Sequence, residues 1–253
     1  CFGSMDAALL EPYRGTDSRG VLFYDDATVR KFCVDANRAG LQIEMHAIGD
    51  AAFVQAVDAI EAALRDTPRP DHRHGIIHAC LPTLEGLRKC AELGIHIPLQ
   101  PGFLAWELEP LEYIESILGD RAFEISPLRT MADLGVRMSG GSDAPCTLPD
   151  PIAGMHAACN HYVAGQSLTP REALRLYTID GFRTTFDDGE RGSLEMGKCA
   201  DMVVLDRSPL DTPASELGSI RVDKVILGGH EYDGGVPGAM VTMLRGLFSR
   251  GQV

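Results

Sequence analysis

A helix, a stop, and a short apolar run ending on a polar residue recur along this chain, and no other feature constrains its fold so strongly. Asp25 or Asp26 caps a helix that runs to about Ala39, Gly40 halts it, and "LQIEMHA" follows as a strand ending at His46. Residues 51–66 place Val54, Val57, Ile60 and Ala63 or Leu64 on one helical stripe. After the proline-rich turn "TPRPDHRH", "GIIHAC" reads as a strand ending near His78. "TLEGLRKCAEL" is a helix stopped by Gly94, and "IHIPLQP" runs to Gln100. Ser126 and Pro127 open a further helix as N-cap and first-turn residue, and Gly135 stops it. The next strand, around Met138, opens into "SGGSDAP", where small residues clear space around Asp143 and Pro145 stiffens the turn behind it.

Strands ending in His46, His78, Gln100 and Asp143 are the grammar of parallel βα units joined by right-handed crossovers. In a (β/α)8 barrel the catalytic groups stand at the C-terminal ends of the strands. A doubly wound sheet is the competing arrangement, but it normally carries a G-x-G-x-x-G phosphate turn, and this sequence has none. Beyond Pro145 the pattern changes. Asp150 and Pro151 open the helix "PIAGMHAACNHYVAG", and Thr169-Pro170-Arg171-Glu172 is a capping box that starts "REALRLYTIDGFRTTF". From Gly189 onward "GSLEMGKCADMVVLD" and "RVDKVILGGHEYDG" read as β-structure. The expected division is a partial barrel over residues 1–188 and a segment of a small β domain over 189–253.

A formal charge of −13 argues against nucleic acid, which needs a basic surface to displace phosphate counterions. No apolar run approaches the ~18 residues of a membrane span, and the start has no signal-peptide pattern. The 7 cysteines are scattered and never spaced C-x-x-C, which favours a reducing compartment and a cytoplasmic location. The chain opens "CFGSMDAALLEPY" without an initiator methionine, as a fragment or a cloning remnant before Met5 would.

His46, His78 and Asp143 form a plausible metal set, since imidazole nitrogen and carboxylate oxygen suit zinc or another divalent ion. Arg73 and His74 are candidates to contact an anionic substrate, and Gln100 either binds substrate or ends its strand. Cys80 and Cys146 are weaker nucleophile candidates beside the strand ends, with small apolar packing as the alternative. His156 and His161 lie on the helix after Asp143; a spacing of five lets at most one of them face the pocket, and His156 is the substrate-binding candidate. Trp106 follows the loop "PGFLAWELEP", which either walls the pocket or packs in the core.

"HAIGD", "RHGIIHA", "LQP", "GGSDAP", "REALRLYT" and "GSLEMGKCADMVVLD" occur in that order and together resemble the amidohydrolase superfamily, in particular its family 3 branch. The likeness covers nearly the whole chain and is that of the family's C-terminal half. It implies strands 5–8 of a TIM-type barrel plus part of a small β-sandwich. His46 would be the strand-5 metal ligand, His78 the strand-6 ligand, and Asp143 the strand-8 aspartate that touches metal and shuttles the proton of its water. The complete enzyme would hold one or two divalent ions, most simply zinc, acidify water towards a pKa of ~7 and cleave an amide, cyclic amide or N-acyl group of a small molecule. Asp143 would act as base and then as acid.

The family's His-x-His of strand 1 has no counterpart on an early strand, and its strand-4 lysine would fall before Cys1. Phe2 stands where the family usually has Asp, and Ile77 where it usually has Glu before the strand-6 histidine. Four βα units leave apolar faces and backbone edges open, so the expected partners are a second copy or a missing N-terminal half, besides the small substrate. The rival reading is a non-catalytic oligomerising or regulatory module. A Schiff-base aldolase ranks last, because no strand ends in lysine.

Overall fold

The structure, a computed structural model, describes residues 1–232 of the chain. Asp25 begins the first helix: its carboxylate accepts from the Thr28 amide at 2.7 Å, and α1 runs Asp26–Arg38. Gly40 follows at φ 77°, a left-handed conformation that a β-carbon would strain. The second helix, α2, spans Asp50–Asp66; its buried stripe is Phe53, Ala56, Val57, Ile60 and Ala63, while Val54 sits half-buried to one side. Thr83 caps α3, Leu84–Leu93, by accepting from the Gly86 amide at 3.2 Å, and Gly94 closes it at φ 74°.

Between these helices run β1 (Glu44–Ala47), β2 (Gly75–His78), β3 (His96–Leu99) and β4 (Arg137–Gly140). They form one sheet in the order β1-β2-β3-β4, every pair parallel. A doubly wound sheet reverses its strand order at a switch point, and no reversal occurs among the described residues. There, β1 and β4 each pair on one side only, leaving two backbone edges open. The core lies between sheet and helices. Phe53 and Ile60 from α2, Leu87 from α3, and Ile76 and Ile97 from the strands are all fully buried, each stabilising the fold by roughly 1.5–3 kcal/mol. α3 comes so close to α2 that a β-carbon on Gly86 would meet the Phe53 ring at 2.5 Å. A second cluster joins Phe2, Leu9 and Tyr13 to Ile114, Ile117 and Leu118 of α4 (Leu111–Leu118), beside Cys80 and Leu81 just past β2.

Three expectations change. Ser126 is not an N-cap: at φ 48° it forms a turn whose amide donates to the Cys80 carbonyl at 2.6 Å, and α5 begins at Leu128 and ends at Asp133. The helix after Asp143, α6, spans Pro151–Cys159 and stops at Asn160, whose side chain donates to the His156 carbonyl and to the distant Ala214 carbonyl, both at 2.8 Å; His161 therefore lies outside it. The run from Thr169 is two helices, α7 (Pro170–Leu176) and α8 (Ile179–Thr184), parted at Thr178, whose hydroxyl bonds the Leu174 carbonyl at 2.8 Å. The capping box itself is present.

The β-structure near the end is a small antiparallel sheet of β5 (Met202–Leu205), β6 (Val222–Leu227) and β7 (His230–Glu231), with an irregularity between Val204 and Leu205. Residues ahead of Met202 turn rather than extend: the Lys198 ammonium donates to the Asp188 carbonyl at 2.6 Å and the Cys199 amide to Glu190 at 2.8 Å. The part of the expected β domain over 233–253 lies outside the described residues. Among the described residues no helix is long and apolar enough to cross a membrane.

Candidate active site

The C-terminal ends of β1 and β2 bring His46 and His78 together, their rings meeting edge to face with centroids 4.6 Å apart. Strand parity alone forbids this contact. His46 stands beside Ile77 in the parallel register and His78 beside Ala47, so regular strands would send the two histidines to opposite faces. His78, however, has φ 73° and Ala79 φ 46°. Rotating φ into the left-handed region swings the His78 β-carbon relative to the preceding peptide and carries its ring to His46. Such backbone costs of order 1–3 kcal/mol per residue and persists only where surrounding packing enforces it.

Gln100, just past β3, holds the His78 ring. Its amide nitrogen donates to the Pro98 carbonyl at 3.3 Å, which turns Oε1 toward His78 Nδ1 at 2.6 Å. Nδ1 therefore carries the proton, and the Nε2 lone pair is left free. His78 is buried, and burial first, then the neighbouring His46, lowers its pKa below the usual imidazole value. His46 is exposed at the rim, yet protein on its inner side desolvates it enough to lower its pKa as well. Both rings are thus neutral donors at pH 7.

Asp143 stands exposed on the loop after β4 at φ 53°, in the same cleft of about 200 Å³. The loop is braced by the Gly141 amide, which donates to the Leu99 carbonyl at 2.8 Å, and by the Cys146 amide, which donates to the Asp143 backbone carbonyl at 2.9 Å. Apolar side chains complete the cleft, among them Phe2, Ile114 and the ring of Tyr162. Of the two places open to the loop "PGFLAWELEP", the structure takes the pocket wall: Phe103 and Trp106 both line the cleft.

Several candidates are not brought here. Arg73 precedes β2, at the end of the sheet opposite His78, where it pairs with Asp188 at 2.6 Å and Asp71 at 3.0 Å and lies over the Phe186 ring. His74 is fully buried: Nδ1 accepts from the Ile43 amide at 3.1 Å and Nε2 donates to Asn37 Oδ1 at 3.0 Å. His156 packs against residues 214–219, its Nδ1 accepting from the Gly218 amide at 3.3 Å. His161 is buried in the chain, donating to the Ser126 carbonyl at 3.0 Å. Gln100 acts on His78 rather than ending free in the cleft. Cys80, by contrast, does line the cleft, but it is buried, and burial pushes its thiol up to about 12, which removes it as a nucleophile.

The paired imidazoles suit a borderline-soft ion such as zinc. Their number does not suffice: among the described residues no three His, Cys, Asp or Glu side chains are arranged to hold an ion, so Asp143 shares the cleft without closing a ligand set.

The model of the amidohydrolase family matches residues 2–231. This chain belongs to the amidohydrolase family, in its family 3 branch. N-substituted formamide deformylase of Arthrobacter pascens is 32% identical over 225 residues, 83% of this chain and 40% of that protein. Imidazolonepropionase of Alkaliphilus metalliredigens is 26% identical over 211 residues, 80% of this chain and 43% of the enzyme. An uncharacterized metal-dependent hydrolase from Pyrococcus furiosus superposes with a TM-score of 0.72 at 30% identity, covering 83% of this amidohydrolase chain and 43% of the other. The chain thus spans less than half the length of each of these relatives.

Proposed function

We propose that this chain supplies four consecutive strand–helix units of a (β/α)8 barrel in a metal-dependent amidohydrolase that cleaves a non-peptide C–N bond of a small molecule. The observation that carries the reading is the convergence of His46, His78 and Asp143 on one cleft beyond the C-terminal ends of parallel strands. The amide-cleaving name of the Arthrobacter relative and the metal-dependent name of the Pyrococcus structure support it. Asp143, exposed and on a braced loop, takes the proton of the attacking water and returns it to the leaving nitrogen. His46 and His78 are donors for the ion, His78 through the nitrogen that Gln100 leaves free, and further ligands come from the rest of the barrel. A divalent ion, zinc by donor type, supplies polarisation of the scissile carbonyl when bound. The other half of the barrel is a further segment of polypeptide or a second copy of this chain. The 7 cysteines are all unpaired, which supports a cytoplasmic site of action.

Among the described residues no three such side chains are arranged to hold an ion, and this favours a second reading, a barrel half that serves as a non-catalytic module. Hydrolysis of N-formyl and N-acetyl amines by the completed barrel with zinc separates the two. In that assembly Asp143→Asn is expected to lower turnover by about 10²–10⁴-fold with an unchanged circular dichroism spectrum. Full activity in the variant removes Asp143 from the proton path, and no hydrolysis with any divalent ion leaves the module.

A further inference from the structure

His78, Phe103 and Trp106 form an offset row of nearly parallel rings leading from the candidate centre to the rim. Phe103 lies 6.1 Å from His78 with planes 15° apart, and 4.9 Å from Trp106 with planes 22° apart. These spacings and tilts are those of offset-stacked aromatic pairs. Phe103 and Trp106 are half-buried, so they keep ring surface open to the cleft, and Leu111 and Ile114 of α4 face it as well. The charges of the cleft are equally selective. Among the described residues its lining holds two carboxylates, Glu109 and Asp143, and no lysine or arginine. Arg73 and His74, the residues expected to meet an anionic substrate, lie at the other end of the sheet, Arg73 paired with Asp188 and His74 buried against Ile43 and Asn37.

We propose that this cleft selects neutral amides bearing a planar aromatic substituent, seated against Phe103 and Trp106, and disfavours N-acyl amino acids and other anionic amides. The inference rests on the cleft being the amide-binding site proposed above, and it adds the substrate class. An aryl group gains stacking that an alkyl chain of similar area does not, whereas a free carboxylate would be desolvated beside two like charges.

Trp106 is the single tryptophan of the sequence, so the intrinsic fluorescence of the chain reports from this wall and needs no turnover. Titration with N-benzylacetamide is expected to give a saturable change, with a Kd about three- to tenfold lower than that of N-butylacetamide. N-acetylphenylalanine, which carries ring and carboxylate together, is expected to bind more weakly than the benzyl amide. Phe103→Leu keeps the apolar volume and is expected to abolish the benzyl preference. Should that variant fail to fold, Trp106→Leu followed by calorimetry is expected to lose the preference, and Trp106→Phe to keep it. Equal Kd values for benzyl and butyl amides, tighter binding of the carboxylate, a preference that survives both leucine variants, or no saturable response overturns the inference. Loss of hydrolysis in the Asp143 experiment does not move this binding readout, so the two readings fail separately.

Discussion

At His78 a left-handed φ and one amide decide what the ring can do. The backbone turn carries it to His46, and Gln100, accepting from Nδ1, leaves Nε2 unprotonated. Gln100→Leu is therefore expected to release the ring into a mixture of tautomers, read by long-range ¹H–¹⁵N correlation; an unchanged Nδ1–H tautomer would show that Gln100 does not set it. His74 shows the opposite use of a histidine. Burial, then the neighbouring His72, lowers its pKa to about 3, and its two hydrogen bonds require the neutral ring. The folded value lies below the unfolded one near 6.5, so the unfolded chain binds more protons in between. The stability from His74 is complete above pH 6.5 and is lost as pH falls from there toward 3. His74→Phe is expected to reduce the pH slope of unfolding free energy in that window by about one proton. At pH 8 it should cost about 1–3 kcal/mol through the unpaired Ile43 amide, whereas Asn37 Oδ1 keeps its bond from Arg69. Denaturant titrations at several pH values check both. Residue types at the strand ends were legible in the sequence. The φ values of His78, Ser126 and Asp143 were not, because histidine and aspartate enter the left-handed region more often than most residues but still seldom, and packing on neighbouring segments decides where they do.

At the scale of elements, local signals worked where their partners lay within one turn. The Asp25 cap, the Gly40 and Gly94 stops and the Thr169–Glu172 capping box all need only adjacent residues. They failed where a distant contact intervened, as when Ser126 was drawn to Cys80 or α6 ended early against residues 214–219. Glu172 combines both kinds. It completes the box at Thr169 and accepts two hydrogen bonds from Arg129 of α5, and the Arg129 guanidinium holds its carboxyl at about 2. Its folded pKa is depressed, so its contribution is present above about pH 4.5 and disappears as pH falls toward 2. Glu172→Gln is expected to lose about 1 kcal/mol at pH 7, with the gap to the parent closing below pH 4. Thermal melts at pH 7 and pH 3 read the difference; an equal gap at both values would assign the loss to packing.

For the whole molecule, the open edges of β1 and β4 and the exposed Val203 and Val222 of the small sheet predict association. Sedimentation of the isolated 27.3 kDa chain is expected to show a dimer or larger species, and a stable monomer with one sharp unfolding transition would show that four strands suffice. The sequence by itself determined the alternation of strand and helix, the polar residues at the strand ends and the family, because periodicity, caps and ordered motifs are local properties of the chain. Only the tertiary structure decided which of those polar residues meet. It turned His78 onto His46, set Gln100 behind it and Phe103 beside it, and sent Arg73 and His156 elsewhere. Direction at a strand's end depends on a single backbone rotation and on neighbours far away in sequence, and neither is written in residue spacing.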